Sequence, residues 1–426
     1  MRREGPGAAR ELEEELHGKS AGMCREVVGL LFNAGGASVP DDFARDGESP
    51  AGTRGRDVLT LFGRVRVEGR SYYRNPGKKT GRFPADDAFG LVGGCTPALA
   101  KRALEHALKE PYAAAAESFG KAHTRELTAD VLKQLARAVA DDAGHFAREG
   151  APDAPGARPV PCAVVMGDGT GMPMRPEELA GVKGKALDGT ARTREAKVGA
   201  VFEMTPAPGD PAARARVPGS TTYTATLERK EDFARGLRAE FDRRFAVPPE
   251  ATLFIGDGAK WLWDIQRTRF PFAVGILDFY HAAEHLAPLL DLAGLQGGER
   301  KATRKKWKRW LIEGNAEKLV SACENLAQSA APGKAQEWRK ALQYYRDNLR
   351  RMRYDEYLAK GWFIGSGVVE GACKTLICER FKRSGMRWSR AGADALLPLR
   401  TACISGRYDE LWKFILERRK KMAATA

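Results

Sequence analysis

The chain has 426 residues, carries 70 Lys and Arg against 55 Asp and Glu, and is 43% hydrophobic; this is too long for one average domain and sufficient for a large core, so two or three domains are expected. It has no run of about 18 uninterrupted apolar residues, and its opening, MRREGPGAARELEEELHG, lacks the apolar stretch of a secretion signal, so no membrane span is expected and the cytoplasm is. The excess charge sits at one end: residues 300–426 hold 29 Lys and Arg against 13 Asp and Glu, whereas residues 1–299 hold 41 against 42.

A region this basic calls for a polyanion. With no lipidation signal or amphipathic membrane pattern, nucleic acid is the expected partner; the plainer alternative is a solubilising surface, although charge kept for solubility is ordinarily spread along a chain. The seven cysteines, Cys24, Cys95, Cys162, Cys323, Cys373, Cys378 and Cys403, are scattered with no C-x-x-C pair. They are expected to be reduced, buried and small.

In chain order, residues 8–34 have helical spacing ending in glycines, and DVLTLFGRVRVEGRSYYRN alternates about Gly63 and Gly69 as a small β-ribbon should. Helices are predicted near 97–118 and 121–148, and the Pro, Ala and Gly of residues 149–161 predict a linker. Strands are then predicted at 161–168, 197–205 and 221–228, followed by a helix whose Phe233, Leu237, Phe241 and Phe245 recur every four residues. Further strands at 251–258 and 272–281 each lead into a helix, residues 285–360 read as helical throughout, and RRKK at 418–421 reads as a flexible tether. The fold class is therefore α/β with a mixed sheet.

The segments VVMGDGTG and LFIGDGAK repeat one design, an apolar run followed by an aspartate between two glycines, which places Asp168 and Asp257 at strand tips. Adjacent glycines allow backbone, ligand or metal to approach closely. Either aspartate alone reads first as a turn residue bonded to its own backbone, and the pair with a third carboxylate reverses that preference. Glu370, in GSGVVEGACKTLICERFK, falls in the first turns of a helix for which Ser366 is the expected N-cap and Cys373, Leu376, Ile377 and Phe381 the apolar side; simple complementarity to the helix dipole is the bland alternative. Two aspartates and a glutamate are the oxygen donors that hard cations prefer, and two such ions about 4 Å apart suit an in-line phosphoryl displacement.

Taken together, GDGTGMP, REAKVGAVFEMT, IGDGAKWLWDI, LDFYHAAEHL and GSGVVEGACKTLICERFKRSGMRWS, in that order over residues 160–410, resemble bacterial insertion-sequence transposases of the DDE type, in particular the ISKra group related to the Mutator-like transposases. The resemblance implies a ribonuclease-H-like core over residues 158–285 and 361–426, an all-helical insertion over 286–360, and a mainly helical N-terminal recognition and assembly domain over 1–150. It carries the catalytic and metal-binding triad onto Asp168, Asp257 and Glu370, with two Mg²⁺ or Mn²⁺ ions. It also implies a homodimer or higher oligomer acting on the element's terminal inverted repeats and on target DNA beside the nucleoid. The word LDFYH corresponds to a Mutator-like motif and makes Asp278 and His281 accessory active-site residues. The N-terminal segment YYRNPGKKTGRFPADD lacks the cysteines that relatives often carry there, so no zinc element is expected.

Other readings remain. Asp278 also ends a strand and competes with Asp257 as second metal ligand; the glycine-flanked setting shared with Asp168 favours Asp257. HAAEH at 281–285 matches the inverted zinc-peptidase motif H-x-x-E-H, and a non-catalytic DNA-binding protein derived from a transposase would keep the same basic face. That face is expected to include Arg304, Lys305, Lys306, Trp307, Lys308 and Arg309, and Lys382, Arg383, Arg387, Trp388 and Arg390, with cations on phosphates and the tryptophans either stacking on bases or sitting in the core.

Overall fold

A computed structural model describes residues 8–36, 47–75, 77, 81–149, 158–182, 191–207, 210–329 and 332–424. The chain divides into two compact units, one of Met1–Phe146 with Ser389–Ala426 and one of Ala147–Trp388. Most of the expected linker, residues 150–157, lies outside the described residues.

In the first unit the helix Ala8–Gly36 packs on a ribbon of β1 (Ser49–Thr60) and β2 (Gly63–Arg74), which pair antiparallel through a turn closed by Gly63 at φ 117°. Alternation puts Val58, Val65 and Val67 on one face, where Val28, Phe32, Phe89 and Leu91 cover them. Where the spacing predicts two helices there are four, Pro97–Lys109, Tyr112–Ala122, Ala129–Ala138 and Ala140–Glu149. Pro111 explains the first extra break: it has no N–H, and Glu110 before it is extended at φ −128°, ψ 160°. Thr128 accounts for the later start, because its hydroxyl accepts the Val131 N–H as an N-cap.

The helices Arg390–Ile404 and Tyr408–Ala424 belong to this unit, whereas the sequence attached residues 361–426 to the α/β core. Buried polar contacts fix them: Arg400 donates to the Leu108 carbonyl, and the Tyr408 hydroxyl donates to the Lys101 carbonyl at 2.8 Å. Residues 418–421 are helical and no tether, since Arg418 and Arg419 both pair with the buried Asp142.

The second unit is built on one mixed sheet of β3 (Cys162–Pro173), β4 (Thr193–Ala207), β5 (Asp210–Arg216), β6 (Thr222–Thr226), β7 (Ala251–Gly256) and β8 (Val274–Leu277). The order is β5-β4-β3-β7-β8 with β6 also on β4; the β3–β4, β4–β5 and β4–β6 pairs are antiparallel, and β3–β7 and β7–β8 are parallel. β5 escapes the sequence analysis because PAARAR offers no β-branched or aromatic residue. Helix Lys230–Arg244 lies on β4 and β6 and buries Phe233, Leu237 and Phe241, each contributing about 1.5–3 kcal/mol. Helix Gly367–Ala372 packs on β3 and β4. Between β8 and that helix the chain forms helices Leu286–Leu292, Gly297–Ile312, Ala316–Gln328, Ala335–Asn348 and Tyr354–Ala359, as the helical reading of 285–360 expects.

Candidate active site

Asp168 is not at a strand tip. β3 runs five residues past it, in register with β4 to Pro173, but its parallel pairing with β7 stops at Met166. Asp168 therefore stands just beyond the end of the parallel ladder while one neighbour still holds its backbone. Alternation turns the position of Gly167 toward Leu262 and sends Asp168 to the other face, where Cys373 donates its S–H to Oδ2 at 3.4 Å. Oδ1 accepts the Gly169 N–H at 2.6 Å. Burial raises the Asp168 carboxyl above the ordinary aspartate range; the Gly169 and Cys373 hydrogen bonds oppose this, and the nearby charges of Asp257 and Glu370 reinforce it. Three carboxylates from distant stretches of sequence thus share one field.

Asp257 follows β7 directly and caps its own turn, Oδ1 accepting the Ala259 N–H at 2.9 Å. The glycines beside the two aspartates serve packing first. A Cβ on Gly167 or Gly256 would stand 2.5 or 2.9 Å from a methyl of Leu262, so one leucine nests against both. Gly258 has φ +101° and lies under the Tyr344 ring, 2.7 Å from where its Cβ would be.

Glu370 lies in the helix Gly367–Ala372, with its side chain 45% exposed. Ser366 holds the N-cap position as expected, but its hydroxyl makes no backbone cap and donates to Glu370 Oε1 at 2.8 Å. Beyond Glu370 the helix widens into a π turn over Cys373–Cys378, a rare irregularity that recurs at functional sites.

Asp278 ends a strand shorter than predicted, β8 stopping at Leu277 because Asp278 caps the helix Phe279–Glu284. It is 0% exposed. Its Oδ1 accepts the His281 N–H at 2.7 Å, and its Oδ2 accepts the Ser366 N–H. Oδ1 thus caps the helix Phe279–Glu284, while Oδ2 ties the segment before Glu370 to the end of β8. His281 Nε2 is 3.8 Å from Glu370 Oε1. His285 lies past the end of that short helix and stacks on Tyr344 at 3.7 Å and 13°, and burial lowers its imidazole pKa. The two histidines of HAAEH are one turn apart, the His285 N–H bonding the His281 carbonyl at 3.0 Å, but His285 is stacked on Tyr344 while His281 Nε2 faces Glu370. Among the described residues no three His, Cys, Asp or Glu side chains gather closely enough to cage a metal.

The basic clusters separate into exposed and engaged groups. On the helix Gly297–Ile312, Arg304, Lys305, Lys306, Lys308 and Arg309 are exposed and Trp307 is buried. Arg309 pairs with Glu313, and Lys306 and Lys308 lie over the rings of Trp310 and Phe279. In the second cluster Arg383 and Arg387 are exposed, while Trp388 is buried with its indole N–H on the Phe381 carbonyl. Lys382 reaches Thr170 on β3 at 2.7 Å, and Arg390 pairs with Asp394 in the first unit. Trp307 and Trp388 are core residues. Sequence reasoning passed over Tyr344 and the hydrogen-bonding roles of Cys373 and Lys382, since nothing in local spacing marks a side chain that acts across the fold.

Comparison with models of known protein families finds no match, and comparison with curated proteins finds none either.

Proposed function

We propose that this protein is a DNA transposase of the DDE type, which cuts and joins the ends of an insertion sequence by metal-dependent phosphoryl transfer. The observation that carries the reading is Asp168, just past the parallel ladder, feeling the charges of Asp257 after β7 and of Glu370 on a helix more than a hundred residues further on, both of which help to raise its pKa. The sheet supports it: an antiparallel meander joined to two parallel strands, in the order 3-2-1-4-5 when counted from β3 with β5 as the third strand, is the order of a ribonuclease-H-like core.

The donor set is all carboxylate oxygen, which fits a hard divalent cation that keeps water and substrate phosphate among its ligands and needs no closed protein cage. Bound there, Mg²⁺ or Mn²⁺ supplies Lewis-acid stabilisation of the attacking and leaving oxygens. Asp168 and Asp257 would hold it from the sheet, and Glu370, half exposed, would complete the set from its helix. Water attacks the phosphodiester at the element's end and the 3′-oxygen leaves, taking up a proton; that 3′-hydroxyl then attacks a target phosphodiester, whose own 3′-oxygen leaves, with no protein-linked intermediate. Exposed cations on the helix Gly297–Ile312 would neutralise phosphates. Two ends cut together require a homodimer or larger assembly.

The test is nicking and strand transfer on DNA carrying the inverted repeats, with Mg²⁺ or Mn²⁺. Asp168→Ala, Asp257→Ala and Glu370→Ala should each abolish cleavage and keep DNA binding. An intact protein that binds DNA without metal-dependent cleavage would identify a non-catalytic derivative instead.

A further inference from the structure

We infer that the helical insertion supports the second carboxylate, and that Tyr344 is its positioning residue; this deepens the transposase reading and rests on it. Three tyrosines of the insertion donate their hydroxyls to backbone carbonyls at the ends of β7 and β8 and in the helix that follows β8. Tyr344 donates to Asp257 at 3.0 Å, Tyr345 to Ala282 at 2.7 Å and Tyr354 to Leu277 at 2.9 Å. Tyr345 and Tyr354 are fully buried and anchor the insertion. Tyr344 is half-buried and meets the Asp257 turn in two ways: it holds the Asp257 carbonyl, and its ring covers Gly258, coming within 2.7 Å of where a Cβ would stand and so leaving no room for a side chain. Its ring also stacks on His285 at 3.7 Å, which fixes the tyrosine's own orientation.

The consequence is directional. The Asp257 side chain already caps Ala259, so its remaining freedom is that of the turn that carries it. Tyr344 restrains that turn from the insertion, a part of the chain that contributes none of the three carboxylates. Removing its hydroxyl should loosen the carboxylate's placement without unfolding the unit.

The experiment titrates Mn²⁺ against the full chain and reads free Mn²⁺ by electron paramagnetic resonance, alongside thermal unfolding. Tyr344→Phe should weaken Mn²⁺ binding by roughly threefold to tenfold, the range of one lost hydrogen bond, with a fall in melting temperature no larger than that of Tyr345→Phe. Tyr345→Phe loses a bond of the same kind at Ala282, and should lower the melting temperature while Mn²⁺ binding is unchanged. Tyr344→Phe binding Mn²⁺ like the unaltered protein, while Asp257→Ala has lost a site, would overturn this inference and leave the transposase reading intact. An unaltered protein that binds no Mn²⁺ would overturn both.

Discussion

At the scale of single residues, the site sets ionisation against burial. Asp168 holds its proton more tightly in the folded protein than in the unfolded chain, chiefly through burial, so stability is lost as pH rises from the ordinary aspartate pKa of about 3.9 through the raised native value. Without metal, Asp168→Asn should therefore raise the melting temperature at pH 7, by about 2–4 °C for each kcal/mol recovered, and the gain should shrink toward pH 3. Equal melting curves at pH 7 would contradict this account. Asp278 makes the opposite demand. With both oxygens on backbone N–H groups, Asp278→Ala strands two donors at about 1–3 kcal/mol each, whereas Asp278→Asn retains one acceptor and loses less. If Asp278 positions the Glu370 segment, urea unfolding should rank the variants in that order, and the Mn²⁺ affinity of Asp278→Asn should stay near that of the unaltered protein. A lost metal site in that variant would restore Asp278 as a ligand.

At the scale of elements, the paired Gly-Asp-Gly words have a structural cause that the sequence hides. Their spacing suggests room for a ligand, but the first glycine of each seats Leu262. Gly167→Ala should therefore cost about 1–3 kcal/mol by overpacking. Gly169→Ala should cost less, because the nearest atom it meets is the flexible end of Glu195 at 2.7 Å; comparing denaturation midpoints of the two checks this. Short apolar runs bounded by glycine or proline made most of the sheet legible, as in Cys162–Met166, where length and the two valines select a strand over a buried helix. That reading failed where an element ends for a tertiary reason. β3 outlasts Asp168 because β4 continues to pair with it, and β8 stops early because the Asp278 side chain opens a helix. The three carboxylates could be named from their local settings, but Tyr344 could not: its partner carbonyl lies 87 residues away.

At the scale of the whole molecule, the charge asymmetry has to be divided by what each cation already touches. Many basic residues of the last third are spent inside the protein: Arg400 on a carbonyl, Arg418 and Arg419 on Asp142, Arg390 on Asp394 and Lys382 on Thr170. Arg304 and Lys305 are exposed on the helix Gly297–Ile312 with no ion pair among the described residues, whereas Arg309 beside them is paired with Glu313 at 2.6 Å. A cation that neutralises a phosphate releases counterions, and each such contact contributes about 0.9 to the slope of log affinity against log salt. Arg304→Ala and Lys305→Ala should thus each flatten the salt dependence of DNA binding by close to that amount, measured by anisotropy across a salt series on any duplex. Arg309→Ala should change it less, because DNA must first compete with Glu313. Equal slopes for all three variants and the unaltered protein would mean that this helix faces solvent and that the phosphates lie elsewhere.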